Sequence, residues 1–141
     1  MREIKFRAWR KSDATMITSE NMHSPRALFF NGKTFYVYEK MSTFGGGDGY
    51  RLEEELELMQ YTGLKDKNGV EIYEGDIVQV GALNEYDFIA FERGSFIYAK
   101  LTENNGEIMP LCHYMYHDED DMVFCQVIGN AYENKELLEQ K

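Results

Sequence analysis

The sequence predicts a mainly β, antiparallel fold that ends in a short C-terminal helix. Three observations predict it. Short apolar runs recur at close spacing between turn residues, the pattern of antiparallel barrels and sandwiches. Aromatics make up 14% of the 141 residues, with ten Tyr and nine Phe against two Pro, which suits packed strands and opposes disorder. A chain of this length buries roughly 68–70% of the surface its unfolded form exposes, so no metal or disulfide staple is required.

Arg2 to Arg10 alternates, with Ile4, Phe6 and Ala8 pointing one way and Lys5, Arg7 and Trp9 the other. This predicts a half-buried strand, and Trp9 on the otherwise basic side points to a covering segment there. Ser12-Asp13 breaks the pattern and Thr15-Met16-Ile17 resumes it as a short return strand. Ala27 to Phe30, Asn31-Gly32 and Lys33 to Tyr38 predict a hairpin, because Asn-Gly accepts positive φ at both centres of a type I′ turn. A two-residue turn sets Leu28 opposite Phe35 and Phe30 opposite Lys33. Gly45-Gly46-Gly47-Asp48-Gly49 reads as a mobile loop. A phosphate cradle would need a helix N-terminus after it, and Tyr50-Arg51 and a glutamate run follow instead. From Glu53 to Tyr61 the glutamates favour helix while Leu56 and Leu58 keep period two, so the second half reads as a strand.

Met59 to Val78 is the densest stretch. Asp66-Lys67-Asn68-Gly69 is a turn, Val70 to Tyr73 a short strand, and Glu74-Gly75-Asp76 turns the chain into Ile77 to Val80. Gly63, Gly69 and Gly75 are expected at chain reversals. Further strands are expected over 87–92, 95–101 and 107–111, separated at Gly94 and at Asn104-Asn105-Gly106. Cys112 to Tyr116 is a strand or a single helical turn, and His117 to Asp121 a solvated acidic loop. Met122 to Ile128 is expected to be the best-buried strand of this half. Glu133 to Glu139 suits the terminal helix, with Asn134 as N-cap. A Glu-Gly-Asp-Ile-Val segment leading into short strands has the look of a small SH3-like β-barrel. The composition shift at 45–57 divides the chain into an N-terminal hairpin region, 1–57, and a C-terminal barrel, 58–141, unless the two are one continuous domain.

Charge narrows the function classes. Fifteen basic and 25 acidic residues leave a net charge of −10, a field that repels phosphates and opposes direct nucleic-acid binding. The chain starts on an alternating strand with no signal-peptide apolar region, and no apolar run approaches the roughly 20 residues of a membrane span. With two cysteines only, a reduced, cytoplasmic protein is expected.

No catalytic set emerges from the residues. Cys112, His113 and His117 are the candidates for a metal site, with Cys125 and the acidic loop nearby, but their spacing matches no zinc pattern. No metal and no cofactor are therefore expected. Cys112 and His113 fail as a nucleophile pair, since strand neighbours point to opposite faces. The carboxylate pairs Glu74/Asp76 and Asp118/Asp120 lie in turns and read as solvated. Tyr61, Tyr73 and Tyr86, with Asp118 and Asp120, are the candidates for a binding surface. Bases stack on aromatics within a basic groove, and that groove is missing, so core or subunit interface is the better reading of the rings.

Three blocks resemble the YopX family, small proteins found largely in bacteriophages and prophages. They are Ile4 to Trp9, then Met59 to Asp66 with Glu74 to Val78, then Val127 to Asn130 with Tyr132-Glu133-Asn134. They span nearly the whole chain in order. Where the family often has Pro after the last Asn, Lys135 stands here. The resemblance implies a mostly β fold and a phage or prophage origin. It brings no activity and no catalytic residues. The expectation is a non-enzymatic accessory protein that binds or self-assembles as a homo-oligomer in the bacterial host cytoplasm. The alternative is an acidic inhibitor or mimic that binds a host or phage DNA-binding protein.

Overall fold

A computed structural model of the chain describes residues 3–18, 26–30, 35–42, 48–80, 86–100, 109–111 and 125–139. They form eleven strands and one short helix in two compact units, Phe6–Met59 and Met1–Lys5 with Gln60–Lys141.

In the first unit, β1 (Phe6–Arg10) forms where the sequence alternates and pairs antiparallel with the return strand β2 (Thr15–Ile17). The sheet continues through β5 (Asp48–Lys65), β4 (Phe35–Ser42) and β3 (Arg26–Phe30), in the order β2-β1-β5-β4-β3. Ala8, Ile17 and Leu56 are its buried core, with Leu58 packed against them. Trp9 is buried beside Ala8, and strand neighbours face opposite ways, so both faces of β1 are covered there. The inward face expected of Ile4, Phe6 and Ala8 holds only at Ala8; Ile4 and Phe6 are exposed.

Two expectations for this unit are corrected. The hairpin pairs Leu28 with Val37 and Phe30 with Phe35, two residues from the register of a tight Asn31-Gly32 turn. An even shift leaves every residue on the same face, so hydrophobic patterning cannot choose between the two registers. The glutamate run is strand throughout, and Asp48 and Gly49 belong to that strand and not to a loop. β4 pairs with β5 from Asp48 to Leu56, Glu54 and Glu55 included, and this backbone pairing outweighs the helix propensity of Glu. Residues 31–34 and 43–47, which hold the Asn-Gly turn and the three glycines, lie outside the described residues.

In the second unit, β7 (Asp76–Val80), β8 (Tyr86–Glu92), β9 (Ser95–Lys100), β10 (Met109–Pro110) and β11 (Cys125–Asn130) form an antiparallel sheet. Its order is β10-β9-β8-β7-β11, curled as a half-barrel. β6 (Glu71–Tyr73) pairs with the end of β5. Ile72, Val78, Ile89, Phe96, Tyr98, Leu111 and Cys125 make one core cluster. Each fully buried aliphatic side chain there contributes about 1.5–3 kcal/mol of transfer free energy. β8 and β9 meet in a two-residue turn, with Glu92 paired to Ser95. Arg93 and Gly94 have φ of 52° and 82°, the positive values a type I′ turn demands.

The sequence reading needs three changes here. Gly63, at φ 89°, marks a register shift inside β5 and not a chain reversal; Gly69 and Gly75 do sit in turns. β11 ends its sheet among the described residues and is buried at Cys125 and Asn130 and half-buried between them, less than β7 with its three buried residues, while Met122 to Phe124 of the expected strand lie outside the described residues. The helix α1 spans Lys135–Leu138, and Asn134 at its N-cap position makes no side-chain capping bond.

Candidate functional site

The turn after β5 is built on Asp66. Its carboxylate is buried and faces backbone donors: Oδ1 accepts from the N–H groups of Asn68 (2.8 Å) and Val70 (2.9 Å), and Oδ2 from that of Val127 (3.0 Å). The Lys67 N–H donates to the Cys125 carbonyl at 3.0 Å. One side chain therefore shapes the Asp66–Gly69 turn locally and fastens it to β11. Thr62 does similar work, donating from Oγ1 to the Ile72 carbonyl (2.8 Å) and accepting from the Leu64 N–H (3.2 Å).

Asp76, expected in solvent, is fully buried and accepts the Tyr73 N–H at 2.8 Å. The Glu74-Gly75 turn brings its carboxylate back to the backbone N–H three residues earlier, so the side chain closes the turn. Its neighbour Glu74 is half-buried, and burial holds its carboxyl above the usual range against the backbone N–H groups of Phe91 and Gln60.

At the C-terminal end, the Asn130 Oδ1 accepts from the N–H groups of Tyr132 and Glu133, both at 3.0 Å, and its Nδ2 donates to Glu133. The Asn134 Oδ1 turns back to accept the Asn130 N–H at 3.2 Å, which is why it does not cap α1. Gly129 leaves room for it: a Cβ there would lie 2.3 Å from that oxygen.

The outward-facing constellation is centred on Lys5 and Glu71. The Lys5 ammonium donates to Glu71 Oε1 at 2.5 Å, lies 3.3 Å from Glu3 and sits 5.5 Å from the Tyr61 ring centroid. The Tyr73 hydroxyl donates to Glu71 Oε2 at 2.8 Å, and the Tyr61 and Tyr73 rings meet at 5.4 Å, tilted by 43°. The Glu71 bond holds Lys5 above the ordinary lysine range, and Lys5 in turn lowers the Glu71 carboxyl. Charge and hydroxyl are mutually satisfied, so the cluster positions its rings and offers no poised base. Ile4 and Val70, the chain neighbours of Lys5 and Glu71, are exposed.

Cys125 is buried, and desolvation pushes its thiol up to about 12, with the Asp66 and Asp76 charges adding to the effect. A thiol kept protonated is a poor nucleophile.

Of the residues singled out in the sequence, Tyr61 and Tyr73 come together. Tyr61 is buried, while Tyr73 is half-buried. Tyr86 opens β8 opposite Gln79, half-buried, and no ring contact joins it to the pair among the described residues. Cys112, His113, His117, Asp118 and Asp120 lie outside the described residues. Among the described residues, no three His, Cys, Asp or Glu side chains are grouped to hold a metal ion, and no helix is long and apolar enough to cross a membrane. Sequence reasoning missed Lys5 and Glu71, which are 66 residues apart and carry no local signal of their pairing.

Residues 5–139 match the family model described as YopX protein. The crystal structure of protein EF1440 from Enterococcus faecalis is similar, at 27% identity and a TM-score of 0.60, over 99% of this chain and 100% of that one. Comparison with curated proteins finds no match.

Proposed function

Since the chain belongs to the YopX family, we propose that it is a phage or prophage accessory protein that works by binding and self-association, not by catalysis, in the cytoplasm of the host cell. The observation that carries this reading is where the polar residues of the family blocks spend their hydrogen bonds. Asp66, Asp76 and Asn130 are buried and accept from backbone N–H groups of this same chain. A catalytic acid, base or nucleophile needs reach to a substrate, and these side chains have their reach taken up by the fold. Among the described residues Ile4, Phe6, Val70 and Phe91 expose large apolar side chains, and the self-association reading takes these as what a second copy covers. Size-exclusion chromatography with light scattering tests the self-association. The expected mass is a multiple of 16.5 kDa, and a clean monomer at micromolar concentration overturns the reading.

A further inference from the structure

We infer that Asn68 is a latent site of self-modification, an Asn-Gly pair that the Asp66 turn holds shut against succinimide formation. The inference is independent of the self-association proposed above. Asparagine followed by glycine is open to this reaction because no side chain shields the glycine nitrogen. The Gly69 nitrogen attacks the side-chain carbonyl carbon of Asn68 and forms a C–N bond. The bond from that carbon to Nδ2 breaks, and ammonia leaves with the proton of the Gly69 N–H. Water then opens the ring at either carbonyl, giving aspartate or an isoaspartate whose backbone is one atom longer.

The fold itself creates the hazard. Gly69 stands at φ 81°, in the left-handed region that favours glycine, so the turn demands the residue that makes Asn68 reactive. Asn68 is exposed, and water reaches it. The same turn supplies the protection. The Gly69 N–H donates to the Asp66 carbonyl at 2.9 Å, and neither Lys67 nor Asn68 has a positive φ. Of the hydrogen-bonded turns without a cis-proline only type I fits, with ψ of Asn68 at about 0°. The ring closes only when the Gly69 nitrogen eclipses Asn68 Cβ about the Cα–C bond. In the type I turn it eclipses the Asn68 nitrogen instead, so the turn must open before the reaction can start. Opening works against the bonds that the Asn68 and Val70 N–H groups make to Asp66 Oδ1, at 2.8 and 2.9 Å. It also works against the bond from the Asp66 N–H to the Val70 carbonyl, at 2.8 Å. An isoaspartate would make the opening permanent, because its longer backbone draws apart the two N–H groups that share Oδ1.

The test is ageing of the full chain at mildly alkaline pH, native and in urea, with conversion of Asn68 read by peptide mass spectrometry. A hydrogen bond to a charged group is worth a factor of roughly 10 to 100, so native Asn68 should convert at least ~10-fold more slowly than in urea. Amide exchange at Gly69 follows the same nitrogen, and its protection in the native chain should be at least as large. Asp66→Ala, shown by circular dichroism to be folded, should quicken native conversion of Asn68 by at least ~10-fold. Where that variant fails to fold, the two wild-type measurements decide. Native Asn68 that converts as fast as in urea overturns the inference. A slow Asn68 beside an unprotected Gly69 amide overturns it too, as does a folded Asp66→Ala that ages like wild type, since either puts the protection outside this turn.

Discussion

Replacing Gly129 by Ala should destabilise the chain by about 2–4 kcal/mol. The new Cβ would lie 2.3 Å from Oδ1, 2.7 Å from Cγ and 3.1 Å from Cβ of Asn134, all well inside contact distance. Asn134 must move, and its acceptance of the Asn130 N–H is lost. Overpacking costs about 1–3 kcal/mol, and a lost intramolecular hydrogen bond about 1 kcal/mol. Asn134→Ala alone should cost only the hydrogen bond. The double variant removes the oxygen and carbon that clash most, so it should be more stable than the two single costs added together by about 1–2 kcal/mol. Urea unfolding followed by far-UV circular dichroism measures all four corners of the cycle. A Gly129→Ala cost below about 0.5 kcal/mol, or strict additivity, would refute the reasoning.

Carboxyl titration by NMR should separate Glu71 from Glu74, with the midpoint of Glu71 below the ordinary 4.5 and that of Glu74 above it. The signs for stability are opposite: the Glu71 contribution is present above about pH 4.5 and is lost as pH falls through its lowered midpoint, whereas Glu74 costs stability as pH rises from 4.5 through its raised one. Lys5→Met should bring the Glu71 midpoint up toward 4.5, and an unmoved midpoint would rule out the Lys5 bond as the cause. Cys125, with its thiol pushed up to about 12, should resist a thiol reagent at pH 8 in the native protein and react in urea, as read by peptide mass spectrometry. Native-state labelling as fast as in urea would contradict its burial.

Elements with local causes were legible in the sequence. The return strand Thr15–Ile17, the turns at Gly69 and Gly75, the strands on either side of Gly94 and the C-terminal helix all rest on turn chemistry or alternation within a few residues. What was missed depends on distant partners. The register of the β3–β4 hairpin can slip by two without moving a side chain to the other face. The glutamates of β5 are extended because the separate strand β4 pairs with them, Tyr36 opposite Glu55 and Val37 opposite Glu54. Asp66 reads locally as a turn residue, but its second oxygen serves Val127, 61 positions on. Asp76 and Glu74 looked solvated because polar residues in a turn usually are, and only the folded chain shows what covers them. Asn134 had the right residue type and place for a cap, yet the space at Gly129 lets it serve Asn130.

That the family blocks are architecture is tested most directly by amide exchange in Asp66→Asn. A carboxylate satisfies all three N–H groups of Asn68, Val70 and Val127. A carboxamide of the same shape has one oxygen, which can serve the Asn68 and Val70 side or the Val127 side, never both. A hydrogen bond to a charged group contributes about 1.5–3 kcal/mol, so exchange on the abandoned side should quicken roughly 10- to 100-fold while the other side keeps its protection. Unchanged protection at all three amides would contradict the account.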